Sequence, residues 1–182
     1  MLESSRTSEI LESCTAQWIE EELADIPKVD DLSIEKLIQG LHGCNFFSWK
    51  ADDRSRGDLP PQIIVQYKRN LDASNLMRNN FMEAIDALSV EKLSLSHVED
   101  HSNLILNSET LGQMIDRMSV LTLKKAFSNT RLSKTASLEA EKRISEQLLY
   151  VQTCYDVFLE RLKRKEAYML AYKQYKMYQP DL

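Results

Sequence analysis

Glycine and proline are scarce, with four of each in 182 residues. Sandwiches and barrels reverse direction every few residues and draw on both types at their turns, so the shortage argues against them and for few, long elements. Cysteine is scarce as well. Cys14, Cys44 and Cys154 are odd in number, far apart and without C-x-x-C spacing. That pattern fits reduced core thiols in a cytoplasmic protein better than disulfides or a zinc site. No apolar run approaches the ~20 residues that cross a bilayer. The first residues, MLESSRTSEILES, mix both charge signs and lack the apolar segment of a signal peptide. Phosphate-cradling glycine loops, a G-x-S-x-G elbow and paired Glu-x-x-His motifs are all missing. No cofactor motif and no catalytic signature remain to be read. The expectation is one soluble cytoplasmic domain over residues 1–182, large enough to bury a core.

What is present points to helices. With 43% hydrophobic and 28% charged residues the composition is that of an ordinary globular protein. Ile10, Leu11, Cys14, Trp18, Ile19 and Leu23 recur at three- and four-residue steps and predict a helix over 5–24, broken ahead of Pro27. A second helix starts at Asp31 or Ser33, either of which can cap it, and ends near Gly57. Pro60 and Pro61 suit the first turn of a third, running to about Leu88 on a stripe that includes Ile64, Tyr67, Leu71, Met82 and Ile85. Residues 89–107 read as a polar connection. Asn107 or Ser108 then caps a fourth helix with Glu109 in its first turn and Leu111, Met114, Met118 and Leu121 as its core stripe. After a connector at 128–136, a last helix from about Ser137 to Tyr178 carries Leu138, Ile144, Leu148, Val151, Tyr155, Phe158, Leu162, Tyr168 and Tyr172 on a helical period. It would span roughly 60 Å. The fold class is all-α, a bundle of about five helices with a long C-terminal one.

Charge is uneven along the chain. Residues 1–31 hold nine acids and two bases, net −7, while residues 161–178 hold six bases and one acid, net +5. Pairing of the acidic first helix with the basic, tyrosine-rich end, within the chain or across a homodimer joined by the C-terminal helix, is the favoured use of that asymmetry. With an overall net charge of −5, nucleic acid is a poor candidate partner.

The stretch LHGCNFFSWKADDRSR at 41–56 is the most unusual. At ~100° per residue, His42, Asn45, Trp49, Asp52 or Asp53, and Arg56 fall within one arc, and Ile34, Ile38 and Leu41 point into or beside it. A surface helix would separate polar from apolar residues. Two readings follow. The arc could line a pocket in which His42 and Asp52 or Asp53 do acid–base work while Arg56 holds an anion. Or it could be a buried hydrogen-bonded network that fixes helix register. The third helix adds Asn75, Arg78 and Asn79, and the fourth adds Glu109, Gln113, Asp116 and Arg117. If the three helices converge, their amides, carboxylates and arginines would make one site of both charge signs that suits a phosphorylated or nucleotide-linked sugar. Metal binding has little support. His97 and His101 stand four apart with Glu99 and Asp100 between, but in the polar connection. Cys44 lies ~200° from His42 and cannot form a dyad with it.

Three stretches together resemble a known family. L-H-x-x-N-F-x-x-W-x-x-[DE]-D-x-x-R stands at Leu41 to Arg56, N-x-x-R-N at Asn75 to Asn79, and S-E-T-x-G-x-M-I-D-R-[LM]-S-[IV]-L-x-L-K at Ser108 to Lys124. In order and spacing they are similar to the bacterial domain of unknown function 4254 family, over roughly residues 30–165. The resemblance implies a cytoplasmic helical protein and a genomic setting of envelope-polysaccharide and glycosyltransferase genes; it implies no activity. This chain departs from the family pattern W-H-x-E-D, reading Trp49, Lys50, Ala51, Asp52 and Asp53, and has Leu111 where a proline is common. A metal centre relying on that second histidine would be impaired here. The expectation is an interaction or scaffold protein, or alternatively a binder or enzyme of an anionic sugar phosphate.

Overall fold

The computed structural model describes residues 1–22, 25–26, 28–29, 31–56, 58–95, 103–131 and 134–170, without the side chains of 129–131 and 134–135. Over these residues the protein is an all-α bundle of five helices: α1 (Ser4–Glu20), α2 (Ile34–Ser55), α3 (Pro61–Lys92), α4 (Leu111–Arg131) and α5 (Lys134–Lys163). Two two-residue strands, β1 (Ile105–Leu106) and β2 (Ala167–Tyr168), pair in parallel.

The starts of α1, α2 and α4 have side-chain acceptors for first-turn N–H groups. At α1 the partner comes from another helix, since the Ser4 N–H and Oγ both donate to the Asp156 carboxylate of α5, at 2.8 and 2.6 Å. At α2 both expected residues contribute. Ser33 Oγ accepts from Lys36 N–H, and Asp31 Oδ1 accepts from Ser33 N–H at 2.7 Å. Pro61 opens α3 as expected. The cap of α4 is Thr110, not Asn107 or Ser108. Thr110 Oγ1 accepts from Gln113 N–H at 3.2 Å while Gln113 Oε1 accepts from Thr110 N–H at 2.9 Å. This reciprocal pair is a capping box, and it leaves Glu109 outside the helix.

The ends also differ from expectation, for backbone reasons. The helix α3 runs to Lys92, and Ser94 then turns left-handed at φ 49°. Leu95 N–H bonds Val90 O and Ser94 N–H bonds Glu91 O, the two bonds of a Schellman motif. The end of α5 repeats it. Lys165 sits at φ 60°, Glu166 N–H reaches Arg161 O and Lys165 N–H reaches Leu162 O. The last helix therefore stops at Lys163 rather than Tyr178, and the basic residues beyond it are not helical through Leu170. The rest of that tail, with Tyr172, lies outside the described residues, as do the ends at Pro27 and Gly57. Both α4 and α5 extend into the connector expected at 128–136, of which residues 132–133 lie outside the described ones.

The helices α2 and α3 form one antiparallel hairpin, α4 and α5 a second, and α1 packs across α2, α4 and α5. The core between them holds Leu11, Leu37, Ile38, Leu41, Phe46, Ile85, Leu111, Ile115, Met118 and Tyr155, all buried. With 32 residues, α3 is ~48 Å long and outreaches this core. Its second half packs on α2 and α4, burying Met82 and Ile85 as expected, whereas Ile64 in its first half is exposed. Among the described residues the acidic segment pairs not with the basic end but with α4, where Glu12 lies 3.8 Å from Lys125.

Candidate functional site

The polar arc of α2 enters the core at His42. Both imidazole nitrogens are engaged, Nε2 with Thr15 Oγ1 of α1 and Nδ1 with Ser119 Oγ of α4, each at 2.8 Å. With Thr15 Oγ1 donating to Leu11 O at 2.8 Å, it accepts from Nε2–H of the tautomer that carries its proton there. In that tautomer Nδ1 is an acceptor and Ser119 donates to it. Ser119 in turn accepts from Asn45 Nδ2 at 2.9 Å, and the other Asn45 Nδ2 hydrogen goes to Asp116 Oδ1 at 2.8 Å. The result is one directed chain of hydrogen bonds from Asn45 through Ser119, His42 and Thr15 to Leu11 O. Each buried member has its partner, as burial demands.

A second proton on His42 would displace the hydrogen bond that Ser119 donates to Nδ1, and burial removes the water that could stabilise the charge. The imidazole is fully buried, with Trp18 stacked on it at 5.2 Å. Burial accordingly pushes its pKa down from 6.5 to about 3. Next to it, burial pushes the Cys44 thiol up to about 12. Neither group is a usable base or nucleophile. Cys14 and Cys154 are also free thiols.

The third helix joins at Asp116. Arg78 Nε lies 3.8 Å from Asp116 Oδ1, an ion pair without a hydrogen bond, and the two side chains are 31% and 16% exposed. Ser74 Oγ of α3 donates to Cys44 O at 2.9 Å and accepts from Ser48 Oγ. Thus His42, Asn45, Arg78 and Asp116 come together from α2, α3 and α4. Trp49 stacks on Phe127 of α4 at 5.6 Å along the same seam, with Asp53 half-buried one turn on.

The other candidates do not join this centre. Asp52 and Arg56 pair with each other at 2.7 Å on the exposed side of α2. Arg117 pairs with Glu109 at 2.7 Å, also at the surface. Asn75 is exposed and Asn79 half-buried on α3. Arg56, Arg78 and Arg117 therefore do not converge on one anion. Sequence reasoning missed Thr15 and Ser119, whose only signal was a small polar residue set in an apolar stripe.

The glycine of the third motif has its own geometric cause. A Cβ on Gly112 would stand 2.6 Å from Met82 O and 3.0 Å from Asp86 Oδ1. Here α4 meets the α3 backbone, and Gly112 N–H donates to buried Asp86 at 2.7 Å. Among the described residues no group of three or more His, Cys, Asp or Glu is placed to hold a metal. The His97/His101 pair lies outside them. No described helix is long and apolar enough to cross a membrane.

Fold and site together define a helical bundle pinned at its centre by a closed polar network. Residues 35–169 match the model of the family described as "Protein of unknown function (DUF4254)", and the chain belongs to that family. No curated protein and no solved structure matches it.

Proposed function

We propose that the protein is a non-catalytic helical interaction protein that self-associates through the outer face of α5. Its setting is the cytoplasm and, on the strength of the family resemblance, envelope-polysaccharide biosynthesis. One observation carries this reading. Leu138, Leu149, Tyr150 and Val157 project from one side of α5 and are 62%, 63%, 70% and 47% exposed. At ~100° per residue they fall within an arc of about 120° that also carries Glu139, Lys142, Glu146 and Glu160. Four large apolar side chains left exposed on one side of a single helix support a contact surface there, with charged residues between them. The closed network around His42 fits the same reading, since it spends its polar groups on holding the bundle.

Light scattering of the purified chain tests it. The expected result is a dimer, with Leu149→Glu combined with Val157→Glu giving a monomer of unchanged helical content. A wild-type monomer at every concentration would refute self-association.

A further inference from the structure

We propose that the cleft between α4 and α5 binds a hydroxyl-bearing organic phosphate, with Asp116 held on its wall by the buried polar centre. The cleft measures about 680 Å³, within the range of ~300–1,000 Å³ typical of small-molecule sites. From α4 it receives Asp116, Arg117 and Lys124, and from α5 Arg143, Glu146 and Gln147. Cations from two helices thus face each other across it.

Those cations are free to take a ligand. Arg117 and Arg143 are tied to Glu109 and Glu139, exposed ion pairs whose contribution is small and which a phosphate can displace. Lys124 has no ion pair among the described residues. Guanidinium groups bind phosphate bidentately and an ammonium adds a point charge. The carboxylates set the rest of the ligand. Asp116 spends Oδ1 on Asn45 and lies beside Arg78, while its Oδ2 receives no hydrogen bond from a described residue. An ionised carboxylate can only accept, so Oδ2 calls for a donor, and a hydroxyl supplies one. A ligand of phosphate alone would be repelled by Asp116 and Glu146. Phosphate at one end and hydroxyls at the other satisfy both signs.

This places binding beside the polar centre rather than within it. The Asn45 amide is itself fixed by Ser119, so the Asp116 carboxylate is ordered before any ligand arrives, which lowers the entropy lost on binding. Asp116 is the binding residue; Asn45 positions it.

Isothermal titration of the full chain with glucose 1-phosphate, UDP-glucose, inorganic phosphate and glucose tests the site. At least one of the first two should bind saturably, and more tightly than inorganic phosphate or glucose. Lys124→Ala and Arg143→Ala, both at exposed positions, should each weaken that binding about tenfold, the loss of one charge-assisted contact. Asp116→Asn should narrow the preference for the organic phosphate over inorganic phosphate, which a merely structural role would not do. No saturable binding of either organic phosphate at millimolar concentration overturns the proposal. So does undiminished binding by both the lysine and the arginine variants. Self-association through α5 is read by light scattering, so the two ideas fail separately.

Discussion

His42 shows how one buried side chain ties the bundle to pH. In the unfolded chain the imidazole takes a proton below its ordinary 6.5, whereas in the fold it resists protonation down to about 3. Between those values the unfolded state binds more protons, so stability rises with pH and is lost as pH falls through that window. The slope approaches 1.4 kcal/mol per pH unit for one proton. Asp86 works in the opposite sense. Burial raises its pKa above 3.8, so the folded state holds the proton more tightly and stability declines as pH rises past that value. Comparison of wild type with His42→Gln isolates the histidine term. Urea unfolding from pH 4 to 6.5 should show a flatter slope in the variant, on a baseline ~1–3 kcal/mol lower at pH 7 from the disturbed hydrogen bonds. Parallel slopes would mean that the imidazole is accessible to protons in the fold.

At the scale of elements, the ends of the helices are informative. The helices α3 and α5 both stop in Schellman motifs whose left-handed residue is not glycine, Ser94 at φ 49° and Lys165 at φ 60°. The two ends are joined, because Lys165 Nζ donates to the carbonyls of Leu93 and Ser94. The ammonium sits where the α3 dipole favours a cation. At Lys165 the side chain therefore justifies a backbone conformation that costs about 1–2 kcal/mol outside glycine. Ser94 contributes only its carbonyl. Replacing Ser94 with glycine is expected to stabilise the fold by ~0.5–1 kcal/mol, seen as a higher urea midpoint at unchanged m-value. An unchanged or lowered midpoint would show that this turn is not strained. These ends explain why the helical period of the sequence overstates the last helix. Lys, Arg and Tyr continue a helical period past Lys163, and nothing local forbids it. The stop comes from Lys165 reaching α3 and from β2 pairing with β1, two contacts made more than 60 residues away in sequence. The Asp31/Ser33 start of α2, by contrast, was legible because capping acts over three residues.

For the molecule as a whole, α3 divides into two parts of different support. Its second half is held between α2 and α4, with Ile85 fully buried and Asp86 bonded to Gly112. Its first half exposes Ile63, Ile64 and Val65, at 44%, 39% and 49%. Fewer buried contacts mean a lower local opening free energy. Hydrogen exchange is expected to be faster over residues 63–73 than over 80–90, by about tenfold or more, equivalent to ~1.4 kcal/mol. Equal protection along α3 would show that the helix opens only with the whole fold. The candidate site divides on similar lines. Sequence periodicity placed His42, Asn45, Trp49, Asp52, Asp53 and Arg56 on one arc, but beyond Trp49 Asp52 and Arg56 turn to the surface and pair with each other, while Asp53 stays half-buried.

The sequence by itself determined the all-α class, the approximate extents of four helices and membership of the family. All of these follow from period, capping and motif spacing within a helix or two. It also marked His42, Asn45, Arg78 and Asp116 as unusual, because polar residues on a core-facing stripe must find partners. Tertiary structure alone decided which partners. Thr15 and Ser119 come from α1 and α4, Leu11 O is the final acceptor, and Arg56 and Arg117 fall outside the centre. Hydrogen bonding between helices depends on their relative placement, which no local pattern in the chain encodes.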